Sequence, residues 1–228
     1  MSSPTLTECL FSGNTAQLLG GGLGNNSSSA PTLVRCRFVN NSAVTVGGAV
    51  VNTDSAHPHF IECTFSGNKA TQGNGGGVWN STTGASFPRF TRCVFSGNTA
   101  SMFGGAIFNE ASNPTMIECI LWGDAAPKGP EIFNYNASAP VVTSCYVQGG
   151  YPGTGNRDTY PPPLLCVAPS GQSIAATETA VVFAVTNIGF GTMSYSASEA
   201  FPWLAVVEGA SGGNGGTLVV SCQANSGT

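Results

Sequence analysis

Charge is scarce in this chain: only 8% of its 228 residues are Asp, Glu, Lys or Arg, and just seven are basic. With a net charge of −4 and no clustered Lys or Arg, it lacks the cationic surface that holds nucleic acid. Long hydrophobic runs are also missing. No apolar stretch approaches the roughly 18 residues that a membrane-spanning helix needs. Long helices are excluded by punctuation, since 31 glycines and 14 prolines interrupt the chain throughout. Disorder is excluded in turn, because 41% of the residues are hydrophobic. Asn, Ser, Thr and Gly are left to face water.

What the chain has instead is a repeat. Cys9, Cys36, Cys63, Cys93, Cys119 and Cys145 follow one another at spacings of 27, 27, 30, 26 and 26 residues. Five residues before each stands a proline, from Pro4 to Pro140. Two residues after each stands a large apolar side chain: Phe11, Phe38, Phe65, Phe95, Leu121 and Val147. A fixed period of this size predicts a solenoid of about five to six coils, each burying its apolar face against its neighbours. No leader peptide precedes the first repeat, and a solenoid needs its first coil capped, so the sequence reads as a fragment of a longer exported chain.

Within each coil, cysteine and the apolar residue two positions later share an inward strand face. The column before the cysteine alternates in charge (Glu8, Arg35, Glu62, Arg92, Glu118), which predicts an exposed ladder of opposite-charge neighbours about 4.8 Å apart. The apolar column at Leu6, Leu33, Phe60, Phe90, Met116 and Val142 is out of phase with the cysteines. A bend or bulge must separate the two if both face inward. Asn14, Asn41, Asn68 and Asn98, with Asp124, form a turn column whose amides are placed to bond one another. A glycine corner follows, and then a second strand ending on Asn25, Asn52, Asn80, Asn109 and Asn134. Its aliphatic column (Leu23, Val50, Val78, Ile107, Ile132) must face inward. Glu131 lies in the preceding column, and an unpaired buried carboxylate costs several kcal/mol, so that column and the one after Ile132 are expected to face out. The latter reads Gly24, Val51, Trp79, Phe108 and Phe133.

FSGN at 11–14, 65–68 and 95–98 and FVNN at 38–41, alternating with GGAV at 47–50 and GGAI at 104–107, resemble the repeat of the polymorphic outer-membrane proteins. The resemblance covers residues 4 to about 150 and implies a right-handed, single-stranded parallel β-helix on a secreted or surface-displayed bacterial protein. As a marker of activity it is weak, because such helices carry adhesins and enzymes alike.

The period ends after Cys145. Residues 1–150 are therefore assigned to the solenoid, and the Gly/Pro/Tyr-rich residues 151–163 to a linker. Short alternating strands at 180–187, 192–198, 203–209 and 217–222, divided by turn signals, then suggest a small β-sandwich over 164–228. This region resembles the immunoglobulin-like modules of the BACON-type carbohydrate-associated group, with a final strand missing. Cys166 and Cys222 lie on separate strands there, and their pairing is left open.

No catalytic constellation emerges. Glu62 and Glu118 stand two coils apart, a spacing seen in hydrolase pairs, but Arg92 lies between them and keeps both ionised, unlike a general acid. The aspartates Asp54, Asp124 and Asp158 are scattered, and His57 and His59 have no third ligand nearby, so no metal or cofactor is expected. The stacked cysteines are expected to be free buried thiols, since parallel side chains suit the disulfide dihedral poorly. The remaining feature is the outward aromatic column Trp79, Phe108 and Phe133, with Tyr135 beside it, expected to form an exposed strip for a glycan or partner protein. Three functions fit: adhesion or glycan contact at the bacterial surface, a carbohydrate-active enzyme whose catalytic coils lie elsewhere, and a plain spacer.

Overall fold

A computed structural model describes residues 3–81 and 86–159, together with strand backbones within 165–222. The chain divides into two units, Met1–Thr159 and Tyr160–Thr228.

The first unit is a parallel β-helix. Its first stack of strands contains Thr5–Thr7, Thr32–Val34, His59–Ile61, Arg89–Thr91, Thr115–Ile117 and Val141–Thr143. The second contains Leu10–Ser12, Arg37–Val39, Thr64–Ser66, Val94–Ser96, Ile120–Trp122 and Tyr146–Val147. A third, shorter stack runs through Thr15–Ala16, Ser42–Ala43, Lys69–Ala70 and Thr99–Ala100. A fourth contains Leu23–Asn25, Val50–Asn52, Val78–Asn80, Ile107–Glu110 and Ile132–Tyr135. All pairings are parallel, and equivalent repeat positions sit opposite one another, as in Phe38↔Phe65↔Phe95.

The bend anticipated between the two apolar columns is a single left-handed residue, repeated in every coil. Glu8, Arg35, Glu62, Arg92, Glu118 and Ser144 all have φ between 51° and 55°. Each turns the chain from the first stack to the second, so that Leu33 and Cys36, three residues apart, are both fully buried. The same corner turns the charged side chains outward into the expected ladder. Arg35 bonds Glu8 at 2.9 Å and lies 3.9 Å from Glu62, and Arg92 bonds Glu62 at 2.9 Å and lies 3.9 Å from Glu118.

The interior is two aromatic stacks meeting edge to face. Phe11, Phe38, Phe65 and Phe95 stack at 4.6, 4.9 and 4.6 Å, and Phe60 and Phe90 stack at 5.1 Å. Rings of the two stacks cross at 71–74°, an arrangement that gains quadrupole attraction beyond area burial. The six described cysteines, Cys9 to Cys145, are free thiols. Those at 36, 63, 93 and 119 donate to the carbonyls of Leu6, Leu33, Phe60 and Phe90 at 3.4–3.5 Å. Burial pushes the Cys93 thiol up, toward its neutral form.

Two buried amide ladders run the length of the unit. In one, each Nδ2 donates to the next Oδ1 through Asn14, Asn41, Asn68, Asn98 and Asp124 at 2.7–3.0 Å. In the other, Asn25, Asn52, Asn80, Asn109 and Asn134 bond at 2.8–2.9 Å, and Asn134 donates onward to the Tyr151 hydroxyl at 2.6 Å.

That last contact marks a difference from the expected linker at 151–163. Residues up to Thr159 belong to the first unit, where they cover its last coil. Tyr151 packs against the core, Asn156 accepts from Cys145 N–H and donates to the Val142 carbonyl, and Arg157 bonds the Cys145 backbone. The segment lacks the repeat signature because it is a lid on the coil rather than another coil.

The second unit is described through antiparallel strands Leu165–Ala168, Ala180–Asn187, Ser194–Ser196, Leu204–Glu208, Ser211–Gly213 and Gly215–Cys222. Strands therefore stand where the alternating patterns at 180–187, 192–198, 203–209 and 217–222 placed them. The Cys166 and Cys222 side chains, and hence their pairing, lie outside the described residues.

Candidate ligand-binding site

The fourth stack carries the aromatic residues singled out above. Gly24, Val51, Trp79, Phe108 and Phe133 occupy one register position in five successive strands. Two residues further on, Glu110 pairs with Tyr135. Phe108, Glu110, Phe133 and Tyr135 therefore tile one outward face, because alternate residues of a strand share a side.

That face is not the open strip expected. Val51 and Phe108 are only 5% and 4% exposed, Trp79 and Phe133 are half-buried, and of the aromatics only Tyr135 is exposed, at 51%. The cover comes from the glycine corners. The residue before each left-handed glycine folds beside the following strand: Phe103 precedes Gly104, and Lys128 precedes Gly129. At Gly104 the backbone passes so close that a Cβ would stand 2.9 Å from Phe108 Cβ and 2.5 Å from the Ile107 carbonyl. Phe103 in consequence stacks on Phe133 at 4.6 Å and leans on Phe108 at 6.4 Å, while Phe108 stacks on Phe133 at 5.6 Å.

A cavity of about 370 Å³ opens beside these rings. Phe103, Phe108, Phe133 and Tyr135 form its apolar side, and Asn74, Glu110 and Lys128 its polar side. Lys128 Nζ lies 5.9 Å above the Phe103 ring, within cation–π range. Neither Glu110 nor Lys128 is in a salt bridge among the described residues. The side-chain Oδ1 of Asn74 is buried and without a hydrogen-bond partner among them, as is the indole N–H of Trp79. Buried polar atoms are nearly always satisfied, so an acceptor left open at a cavity wall calls for an explanation. Of the four aromatics picked from the sequence, Phe108, Phe133 and Tyr135 share this cavity, and Trp79 does not line it. Phe103, Asn74, Glu110 and Lys128 were missed. Their columns (Leu19, Val46, Asn74, Phe103, Lys128 in the corner) share no chemical type, so a search for repeating chemistry passes over them.

The other candidates resolve into structural contacts. Arg92 bonds Glu62 at 2.9 Å and lies 3.9 Å from Glu118, so both carboxylates belong to the charge ladder. The His57 ring stacks on Phe87 at 5.6 Å and accepts the Phe87 N–H, and His59 Nε2 lies 3.1 Å from Thr91 Oγ1. Burial, with Arg89 nearby, lowers the His59 pKa.

Glu131 contradicts its expected placement. It is 4% exposed and faces inward, beside Asp124, itself 6% exposed. The equivalent residues in earlier coils are Gly22, Ala49, Gly77 and Ala106, and a Cβ at Gly22 or Gly77 would touch the Asn ladder at 3.3–3.4 Å. A column restricted to glycine and alanine was the signal that this corner is interior. The assumption that a buried carboxylate would be unpaired hid it, because its partner lies seven residues earlier.

With this geometry in view, comparison with known proteins is informative in one respect. No curated protein and no solved structure matches the chain. Residues 62–81 and 92–110 match the model of the Chlamydia polymorphic membrane protein repeat. The two segments cover the Glu62 and Arg92 corners, the Asn68 and Asn98 rungs, and Trp79, Phe108 and Glu110. These coils are thus repeats of the polymorphic membrane protein type, built into a parallel β-helix.

Proposed function

We propose that this chain is a non-enzymatic, surface-associated β-helical protein of a bacterium, and that it contacts a glycan in the cavity beside Phe103 and Tyr135. The observation that carries this reading is the composition of the cavity. An exposed tyrosine face adjoins a carboxylate, an ammonium and an open amide acceptor. A sugar ring presents an apolar face and a rim of hydroxyls, which are the complements of that set. The polymorphic membrane protein type of the repeats supports the surface setting, and the resemblance of residues 164–228 to carbohydrate-associated modules points the same way. The spacer reading is the alternative outcome of the test.

Tyr135→Ala and Glu110→Gln, made singly in the full chain, are the informative variants because neither side chain belongs to the core. Binding to an array of bacterial and host glycans is expected for the wild type, with a loss of about tenfold or more in each variant and unchanged thermal unfolding. Absence of any glycan signal from the wild type, or retention of the signal in both variants, would sink the reading.

A further inference from the structure

Each rung of the inner Asn ladder places the same demands on the coil that follows. Its side-chain amide and its backbone N–H both need an acceptor, and the next Oδ1 serves both. The backbone bonds of Asn14, Asn41, Asn68 and Asn98 to that oxygen measure 2.7–3.1 Å. The Nδ2 group also donates backward, from Asn41, Asn68 and Asn98 to the carbonyls of Phe11, Phe38 and Phe65 at 2.9 Å.

Asp124 ends this series. Its Oδ1 accepts both donors of Asn98 at 2.7 Å. No asparagine follows to accept from the Asp124 N–H, and Glu131 Oε1 folds back to do so at 3.3 Å. Asp124 Oδ2 therefore stands where every earlier rung carries a donor, facing acceptors: by register the Phe95 carbonyl, and the Glu131 carboxylate. Among the described residues neither Asp124 Oδ2 nor Glu131 Oε2 has a hydrogen-bond partner, and both residues are more than nine-tenths buried. Two ionised carboxylates here would be a pair of like, desolvated charges with no cation bonded to either.

We propose that Asp124 and Glu131 form a proton-binding site, in which one proton, carried on Asp124 Oδ2, completes the ladder as an amide would and fixes the corner at 128–133. Burial, and then the neighbouring Glu131 charge, push the Asp124 carboxyl well above its ordinary range, and burial pushes Glu131 up as well. For groups raised in this way, the stability they contribute is fully present below the ordinary carboxylate range and is lost as pH rises through the raised values. The fifth coil therefore tightens on acidification, opposite to the usual behaviour of salt-bridged carboxylates. The charged and titratable groups on neighbouring elements are Glu110, Lys128, Tyr151, Arg157 and Asp158. None bonds to the pair, and Asp158 is engaged with the Gly149 N–H. Lys128 and Phe133, on the same corner, carry the effect to the wall of the cavity, although the site itself requires no ligand there.

Hydrogen–deuterium exchange over residues 120–135, corrected for the intrinsic rate at each pH, tests the proposal in the full chain. In the wild type, protection of this stretch relative to residues 33–66 should fall roughly tenfold or more between about pH 5 and about pH 8, the yield of one unit of pKa displacement. Asp124→Asn supplies the donor permanently. It should abolish the dependence and leave the stretch better protected than wild type at about pH 8. Glu131→Gln, which keeps the acceptor but removes the charge, should flatten the dependence as well. A flat wild-type profile overturns the proposal. So does either variant that retains the wild-type slope, or an Asp124→Asn protein less protected than wild type at about pH 8.

Discussion

The middle coils and the fifth coil of the β-helix are built on one plan and stabilised differently. From Pro31 to Glu110, several interior positions are filled in kind: phenylalanine on phenylalanine, asparagine on asparagine, glycine or alanine at the tight corner. In the fifth coil, the last to reach the third and fourth stacks, Leu121 replaces the phenylalanine, Asp124 the asparagine, Glu131 the small residue, and the third stack has no strand. A middle coil has neighbours on both sides, so every donor finds its acceptor one coil away. In those two stacks the fifth coil must finish its bonds from its own side chains and from the lid at 151–159, as Glu131 and Tyr151 do, while Asn156 closes the partial sixth coil at Cys145. In the third and fourth stacks, departure from the repeat is therefore a response to having one neighbour instead of two, whereas in the second stack Leu121 still pairs with Val147. The cavity also lies where the repeat weakens, since Phe103, Lys128 and Tyr135 have no counterparts of their type in the earlier coils.

This contrast can be broken by substitution. The largest effect is expected in the aromatic stack. Phe65→Ala, stacked on both sides and edge-on to Phe60 and Phe90, should cost about 3–5 kcal/mol in denaturant unfolding. Leu121→Ala in the fifth coil should cost less, nearer ~2 kcal/mol. Equal losses would mean that the fifth coil is as tightly determined as the middle. Next come the ladders. Asn68→Ala strands two donors of Asn41 and the Phe38 carbonyl, and should destabilise by roughly 2–4 kcal/mol. Asn134→Ala, on a half-exposed final rung, should cost about 1 kcal/mol, and a loss matching Asn68 would erase the distinction. The smallest effect belongs to the charge ladder. Arg92→Ala should change stability by a few tenths of a kcal/mol, and less at high salt, because its partners are well exposed. A loss above ~1 kcal/mol would make the corner, not the core, the source of register.

What could be read from the sequence follows the same division. The cysteine and phenylalanine columns repeat in kind, and parallel stacking brings like onto like, so spacing alone placed Cys36 and Phe38 in the interior. The asparagine column reads as a turn whose amides can bond one another, and its burial, with Asn41 at 0% exposure, is not foreseen. The phase conflict between Leu33 and Cys36 called for a bend, but not for a left-handed arginine or glutamate, since such residues rarely adopt that geometry. Glu131 was misplaced because the cost of an isolated buried charge was applied to a residue whose partner the sequence separates from it. The aromatic column was in register as expected, but its exposure depended on Phe103, a corner residue whose counterparts Leu19, Val46, Asn74 and Lys128 carry no aromatic ring.

The left-handed corner residues have a consequence for how such a chain changes length. Their side chains alternate acid, base, acid, base, acid from Glu8 to Glu118, and the described pairs link neighbouring coils. Losing or duplicating one coil sets two acids or two bases side by side at every junction it creates. Losing or duplicating two coils leaves the alternation untouched. Parity is thus written into the surface of the helix: its natural unit of growth by duplication is the pair of coils.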